Sequence, residues 1–377
     1  MAEEETEMEN GENPVDDLYS AASPPGSTQG QQSAQGRHVE PLEGPRGIDI
    51  GTSRIVEYHK EGLKFVKNTQ LNAFFAVPDS GFTRRILDQN DIHYKQENGK
   101  ILVVGDGAQT FANITNGEIG RPMASGILNP KEKHASMIIG SIIDSMVDRP
   151  DDLGESLVYS MPGPIRGSAS FNSVFHEGIL RNQFVSKGYM AKGVNEGYLV
   201  ILSEMEKDDY SGIGISCGAG LANVCFSYLS VPVIDFSMAK SGDYIDSAAA
   251  AAVGEHANRV RVIKEEELNL VADPKTRLER ALHIYYEEMI VSLIGHLIDA
   301  LSESENVPKV SHAIPIVLSG GTALPKGFRE NFENILRDSQ FPINISEVKM
   351  AESPLTTIAK GAYLAACLNK EGEDEGY

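Results

Sequence analysis

The sequence of 377 residues contains no tryptophan and only three cysteines, Cys217, Cys225 and Cys367. The cysteines have neither a metal-site spacing nor a paired framework, so we expect a reducing, cytoplasmic environment. No apolar run approaches the roughly 18 residues that a membrane-spanning helix requires. The N-terminal segment also lacks the basic and then apolar pattern of a signal peptide. The sequence therefore predicts a cytoplasmic protein without membrane insertion.

Basic residues are also scarce, because 33 Lys and Arg stand against 54 Asp and Glu, for a formal net charge of −21. Nucleic acids and anionic lipids attract clustered Lys and Arg, so we expect neither as a direct partner. Residues 1–43 hold ten acids against Arg37 alone and almost no branched apolar residues. Such a segment cannot bury enough surface to offset its ordering entropy. We predict a disordered acidic tail at 1–43, serving solubility or binding a basic protein partner, and a second disordered acidic tail at 369–377.

The amino-acid sequence from Arg46 onward contains a repeated pattern. RGIDIG, RIVEYHK and LKFVKNTQL are three short β-type runs separated by turns, and GIGISCGAG, LANVCFSYLS and VPVIDFSMAKSGD repeat them near mid-chain. Asp49 and Ser216 occupy matching places, 167 positions apart. Duplication at half a chain length predicts two domains of similar topology. Helical patterns alternate with the strands, so the predicted fold class is α/β.

Three helices stand out by their apolar spacing. Two are predicted over 133–147 and 169–188. The longest is predicted to begin with Asp273 as N-cap and Pro274 in its first turn. Its apolar stripe is interpreted as core packing and consists of Leu278, Leu282, Tyr285, Met289, Leu293, Leu297 and Leu301.

The first loop that could carry chemistry runs from Asp49 to Ser53 between two strand-like runs. Gly51 allows a tight turn, so that backbone N–H groups and the Thr52 and Ser53 hydroxyls can face phosphate oxygens. Asp49 at the strand end would hold Mg²⁺ through its water shell, because Mg²⁺ keeps several waters in protein sites. By itself the loop is equally compatible with an ordinary hairpin turn in which Asp49 accepts N–H bonds.

Three further stretches could also contribute to a nucleotide site. Ser216, Cys217, Gly218, Ala219 and Gly220 form a second small-residue hairpin tip at the equivalent point of the repeat. Two such tips facing each other could hold a triphosphate, although either could be a plain turn. Gly320, Gly321 and Thr322 lie between an apolar strand and a helix, which presents backbone and helix N-terminus to a nucleotide or merely allows close packing. Glu196 could orient a water for attack on phosphate, or simply favour a helix start.

In this order, these loops resemble the actin, Hsp70 and sugar-kinase superfamily, and most closely its MreB-type (MamK-like) bacterial actins. Four other stretches carry the resemblance: GRPMASGILNPKEKHASMII (120–139), SGDYIDSAAAAAV (241–253), VIKEEE (262–267) and SPLTTIAKGAYLAA (353–366). The resemblance covers about residues 44–368. It implies an actin-like, ribonuclease H-like duplicated fold with four subdomains around a nucleotide cleft. Domain I would span 44–200 and regain 353–368, and domain II would span 201–352.

The resemblance also implies roles for these residues. ATP with Mg²⁺ would be held by Asp49 and Gly51 to Ser53 on one side and by Ser216 to Gly220 on the other. Lys264 and Glu265 would lie at the ribose and adenine, Gly320 to Thr322 at the adenosine, and Glu196 would position water. Catalysis would then rest on positioning and charge stabilisation.

One position departs from the family pattern, because Ser216 stands where an aspartate is usual. Leu221 and Ala222 likewise replace threonines that normally follow the glycines. A serine lacks the negative charge that helps to order Mg²⁺ and water, so ATP hydrolysis is expected to be slow or absent while binding persists. The leading hypothesis is an actin-like protein that polymerises with itself on ATP. The alternatives are a non-polymerising, nucleotide-gated scaffold, which Ser216 favours, and a small-molecule kinase, for which no separate base stands out.

Overall fold

The computed structural model describes residues 44–115, 117–167, 173–310 and 312–374, so the predicted tail at 1–43 lies outside the described residues. The strands are β1 (Arg46–Ile50), β2 (Arg54–Glu61), β3 (Lys64–Leu71), β4 (Phe74–Pro78), β5 (Tyr94–Glu97), β6 (Lys100–Val104), β7 (Met123–Ala124), β8 (Ile127–Leu128), β9 (Ser156–Met161), β10 (Met190–Asn195), β11 (Gly212–Cys217), β12 (Ala222–Tyr228), β13 (Val231–Met238), β14 (Ile314–Ser319) and β15 (Ile345–Met350). The helices are α1 (Gly81–Gln89), α2 (Asp106–Thr115), α3 (Ala135–Met146), α4 (Ser173–Lys187), α5 (Glu196–Glu204), α6 (Gly242–Val253), α7 (Ala257–Glu266), α8 (Arg277–Glu303), α9 (Phe328–Asp338) and α10 (Thr357–Asp374).

Two five-stranded sheets repeat one topology. The first has the order β3-β2-β1-β9-β10 and the second the order β13-β12-β11-β14-β15. In each sheet three antiparallel strands come first, and two parallel strands are then added beside the first of them. Asp49 pairs with Val56 across its hairpin as Ser216 pairs with Asn223 across the other. The predicted duplication and the α/β class are therefore confirmed.

Two helices, α5 and α10, join the sheets through a shared core. Leu199 and Ile201 of α5 and Ala362 of α10 form one buried cluster with Val158 of the first sheet and Val317 of the second. Removing such apolar surface from water is the main favourable term in folding. The N-terminus of α5 and the first turn of α10 therefore have fixed positions between the two hairpins. The described residues from Gly44 onward belong to one unit, and the predicted domain boundaries within it stay predictions.

The N-cap of the long helix α8 lies three residues after the predicted one, so the prediction of Asp273 as its N-cap is wrong. Thr276 is the N-cap, and it exchanges hydrogen bonds with Glu279 in a capping box. The capping box satisfies the backbone N–H groups of Thr276 and Glu279. A helix with Asp273 as N-cap would have Thr276 in place of the glutamate and could not form this box. Most of the predicted stripe is buried, but Tyr286 takes the fully buried place expected for Tyr285.

The last helix, α10, continues to Asp374 and so includes most of the segment predicted as a tail at 369–377. Leu368, Lys370 and Glu371 are good helix formers, and no proline interrupts them, so the helix extends past the core. The other two predicted helices are present as α3 and α4, although residues 168–172 lie outside the described residues. Within the described part of the chain, no helix has the length and apolarity to cross a membrane.

Candidate functional site

A cleft of about 320 Å³ lies between the two hairpin tips, within the range of small-molecule sites. Fourteen of the fifteen residues predicted for the site line this cleft: Asp49, Gly51, Thr52, Ser53, Glu196, Ser216, Gly218, Ala219, Gly220, Lys264, Glu265, Gly320, Gly321 and Thr322. Cys217 is the exception, because its side chain is fully buried in the core of the second sheet. Burial raises the pKa of this thiol to about 12, so it is neither charged nor accessible.

The first hairpin places Asp49 at the end of β1 against β9. Asp49 Oδ1 accepts a hydrogen bond of 3.0 Å from Ser160 Oγ, and Ser160 Oγ accepts one of 2.8 Å from Ile50 N. These bonds fix the carboxylate at the edge of the cleft. Burial raises the pKa of Asp49 to about 6, against the lowering effect of the Ser160 bond.

The second hairpin touches the first because glycine is present at its tip. A Cβ on Gly220 would lie 2.4 Å from Thr52 Oγ1 and 2.6 Å from Gly126 N. Any larger residue would push the two tips apart. The carbonyl of Gly218 is also held, because it accepts hydrogen bonds from Ser241 Oγ at 2.6 Å and Thr322 Oγ1 at 2.8 Å. The diglycine turn is thereby tied to the second hairpin.

Glu196 extends from the first turn of α5 to the second sheet. Its Oε2 accepts hydrogen bonds from Ser216 Oγ at 3.0 Å and from Asn223 Nδ2 at 2.8 Å. Asn195 is the N-cap of this helix, accepting from Tyr198 N at 3.2 Å. Burial, and then the charge of Asp49, raise the pKa of Glu196 to about 8 in spite of the two donors.

The two carboxylates are suited to a hydrated cation. Neither Asp49 nor Glu196 has a Lys or Arg ion-pair partner among the described residues, and the charge of Asp49 raises the pKa of Glu196. In the described part of the chain, no group of three or more His, Cys, Asp or Glu side chains could by itself hold a metal ion. A cation here would therefore keep most of its ligands as water and bound phosphate, as Mg²⁺ does.

The far end of the cleft is braced by a buried ion pair. Lys264 Nζ lies 2.8 Å from Asp246 Oδ1 and donates to Gly242 O at 3.2 Å. Both side chains are almost fully buried, so the ammonium of Lys264 already has protein partners. Glu265 is exposed at the rim. Lys264 therefore supports the wall formed by α6 and α7, and Glu265 is among the residues that line the cleft.

Several residues of the site were missed by the sequence analysis, including Ser160, Asn223, Arg121 and Asp243. Ser160 and Asn223 hold the two carboxylates, and Arg121 pairs with Asp243 at 2.9 Å between the two halves of the chain. For Asn223 a signal existed, since it lies directly opposite Ser216 in a hairpin that was already predicted. The other three depend on elements that meet only in the folded chain.

The comparisons with known proteins agree with this architecture. The model of the family described as Volactin matches residues 45–366. A search of curated proteins finds no match.

Three solved structures have similar folds and are distant in sequence. One titled as a MamK double helical filament has a TM-score of 0.63 and 17% identity, covering 85% of this chain and 98% of MamK. MreB5 of Spiroplasma citri bound to AMPPNP has a TM-score of 0.61 and 13% identity, covering 88% of this chain and 98% of that one. A MamK mutant described as non-polymerising and bound to AMPPNP has a TM-score of 0.53 and 18% identity, covering 85% of this chain and 98% of its own. At such identities the likeness shows the fold, so the predicted actin-like fold is confirmed. Because the family model covers most of its length, the chain belongs to the volactin family.

Proposed function

We propose that this protein is an actin-like cytoskeletal protein that binds ATP with Mg²⁺ in the cleft, polymerises in that state and hydrolyses the nucleotide slowly. The observation that carries the proposal is the contact between two equivalent hairpin tips, with Gly220 against Thr52, beside a carboxylate pair. Backbone N–H groups at two facing tips can hold a phosphate chain from both sides. Similar folds are described in complex with AMPPNP or as a filament, which supports the same reading for this chain.

Each part of the cleft then has one task. Gly51 to Ser53 and Gly218 to Gly220 would contact the phosphates, and Ser216 would do so or hold Glu196. Asp49 would hold Mg²⁺ through water, and that ion would neutralise charge on the phosphates. Gly320 to Thr322 and Glu265 would face the adenosine, with Lys264 holding the wall behind them. Glu196 would orient the attacking water.

Polymerisation would follow from closure of the cleft. A nucleotide held by both tips would fix one relative placement of the two halves, to which the Arg121–Asp243 pair at 2.9 Å would add. A surface of fixed shape can repeat the same head-to-tail contact, and contacts that do not close into a ring form a filament. The proposed partner is therefore a further copy of this chain, and a basic protein for segment 1–43 is a separate proposal.

The test is sedimentation of the purified protein with Mg²⁺ and ATP, ADP or no nucleotide, with phosphate release followed in parallel. We expect pelleting that requires ATP, filaments by electron microscopy, and slow phosphate release. Glu196→Gln keeps the side-chain shape but should abolish phosphate release and leave pelleting in place. Glu287→Gln on the exposed face of α8 is the matched control and should behave as the wild type.

A second candidate is the nucleotide-gated scaffold that neither polymerises nor turns over, and the neutral Ser216 is the observation that favours it. In that case ATP would bind and stabilise the protein, yet nothing would pellet and no phosphate would appear. That combination would replace the filament proposal with the scaffold. Absence of any ATP binding would refute both.

A further inference from the structure

One carboxylate oxygen of Glu196 receives two hydrogen bonds from neighbouring strands of the second sheet. Ser216 Oγ on β11 donates at 3.0 Å and Asn223 Nδ2 on β12 donates at 2.8 Å, both to Oε2. Ser216 and Asn223 face each other across the hairpin and are each only 1% exposed. Bonds of this kind to a charged acceptor are among the stronger ones in proteins. They fix the position of the carboxylate that faces the cleft.

The orientation of the Asn223 amide follows from its other neighbours. Asn223 Oδ1 accepts from Gly163 N at 3.4 Å and lies against the hydroxyl of Ser237. On its opposite side the amide donates from Nδ2 to Glu196 Oε2. Ser237 is held in turn, because its hydroxyl is 3.0 Å from Gly163 O. The amide therefore has one orientation, and it acts as a donor to Glu196.

Backbone packing holds the helix that carries Glu196 in the same place. A Cβ on Gly197 would lie 2.4 Å from Cys225 N, so the first turn of α5 lies directly on β12. In the described part of the chain both donors use Oε2, which leaves Oε1 available to a molecule in the cleft.

Electrostatic repulsion determines which kind of side chain is favourable at position 216 in this arrangement. Glu196 already lies close enough to Asp49 for the two charges to oppose each other. A carboxylate at position 216 would bring a third negative group to the same place and would replace a donor to Oε2 by an acceptor. Ser216 instead supplies a proton to the bond. The serine is thus matched to the conformation of Glu196 that the structure shows.

We propose that Ser216 and Asn223 are positioning residues that hold Glu196 ready to orient the attacking water, so that the serine supports turnover of the bound nucleotide. This inference rests on the proposed function. In the step concerned, the water oxygen forms a bond to the terminal phosphorus while the bond from phosphorus to the bridging oxygen breaks. The electron pair of that bond leaves with ADP, and one water proton passes to solvent by way of Glu196 Oε1.

The experiment compares single-turnover phosphate release at saturating Mg²⁺ and ATP, and separately the affinity for a non-hydrolysable ATP analogue. Ser216→Ala removes one donor and should slow release about tenfold, with affinity changed by less than about threefold. Ser216→Thr keeps a hydroxyl and should restore most of the rate. Ser216→Asp and Asn223→Asp should both release phosphate more slowly than the wild type. Ser227→Ala is the control, because Ser227 is a buried serine on β12, the strand of Asn223, and lies outside the cleft lining.

The outcomes separate this inference from the proposed function. A Ser216→Asp variant as fast as the wild type, or faster, would overturn the inference while ATP binding remained intact. So would an unchanged rate in Ser216→Ala, or wild-type protein that binds ATP and releases no phosphate. If the wild type binds no ATP at all, the proposed function itself fails and the inference fails with it. Thermal unfolding of every variant establishes that a slow rate does not reflect an unfolded protein.

Discussion

Acid should destabilise this protein through one buried histidine, His176 of α4. Its side chain is 2% exposed, and its Nδ1 accepts a hydrogen bond of 3.3 Å from Leu128 N, so the imidazole is neutral in the folded state. Burial lowers the pKa of His176 from 6.5 to about 4. The replacement His176→Asn keeps an acceptor near the position of Nδ1 and removes the titrating group.

The sign and size follow from proton linkage. Between pH 6.5 and about 4 the unfolded chain binds a proton at this residue and the folded chain does not, so stability falls as the pH falls. Each pKa unit that separates the two states corresponds to about 1.4 kcal/mol, so the complete loss from this histidine is about 3 kcal/mol. Most of that loss, about 2.5 kcal/mol, should already be present at pH 4.5.

The assay is urea unfolding of wild type and His176→Asn at pH 7 and pH 4.5. Other groups titrate in both proteins, so the informative quantity is the difference between the two pH-dependent losses. We expect the wild type to lose about 2.5 kcal/mol more than the variant. His93→Asn, at an exposed histidine, controls for the loss of an imidazole. Equal losses in wild type and His176→Asn would refute the reasoning.

Two further predictions concern packing and charge. Gly361→Ala places a Cβ 2.0 Å from Leu199 O where α10 crosses α5, so it should destabilise by about 1–3 kcal/mol in urea unfolding. Gly295→Ala, in α8 with no atom within 4 Å of the new Cβ, should stabilise the protein by up to about 1 kcal/mol. Changes of the same sign in the free energy of unfolding of the two variants would contradict the packing argument. Lys264→Met leaves the buried Asp246 unpaired and should cost about 3–5 kcal/mol, while adding Asp246→Leu should recover much of the loss in the same assay. If the double variant is no more stable than Lys264→Met, the cost does not come from an unpaired charge.

Local patterns made the two hairpins and the diglycine turn predictable. Each hairpin consists of consecutive strands, so Asp49 and Ser216 could be placed at strand ends by alternation and turn residues alone. Of the site residues that were missed, Ser160, Arg121 and Asp243 lie outside the two hairpins, whereas Asn223 belongs to the second one. Ser160 comes from β9, more than a hundred positions from Asp49, and no spacing in the sequence brings the two together. The start of α8 could have been predicted from the sequence, because Thr276 followed by Glu279 is a capping-box pattern. Pro274 instead suggested an earlier first turn.

The role of Lys264 depends on more than its position in a motif. The family resemblance implies a place at the ribose and adenine, which stays a prediction, and in the structure Lys264 Nζ lies 2.8 Å from Asp246 Oδ1. The partner is a residue of α6, and only the packing of α6 on α7 decides whether the ammonium faces ligand or protein. A short motif specifies which residue types are near a cleft, and the neighbouring element specifies what remains available to a ligand.

The duplicated fold explains why the two halves of the site need not be chemically alike. Both sheets place one residue at the same rung beside the cleft, Asp49 in one and Ser216 in the other, while α5 brings Glu196 between them. Three carboxylates at that point would repel one another more strongly than Asp49 and Glu196 do alone, and a hydroxyl donor at position 216 avoids that added repulsion. Under the proposed function, the asymmetry would leave Asp49 as an acceptor for a hydrated cation and Ser216 as a donor to Glu196. At position 216 a hydrogen bond to Glu196, which only a donor can make, therefore takes the place of a charge. Phosphate release by Ser216→Asp distinguishes a site that has lost activity together with that charge from a site in which Glu196 is held in a different way.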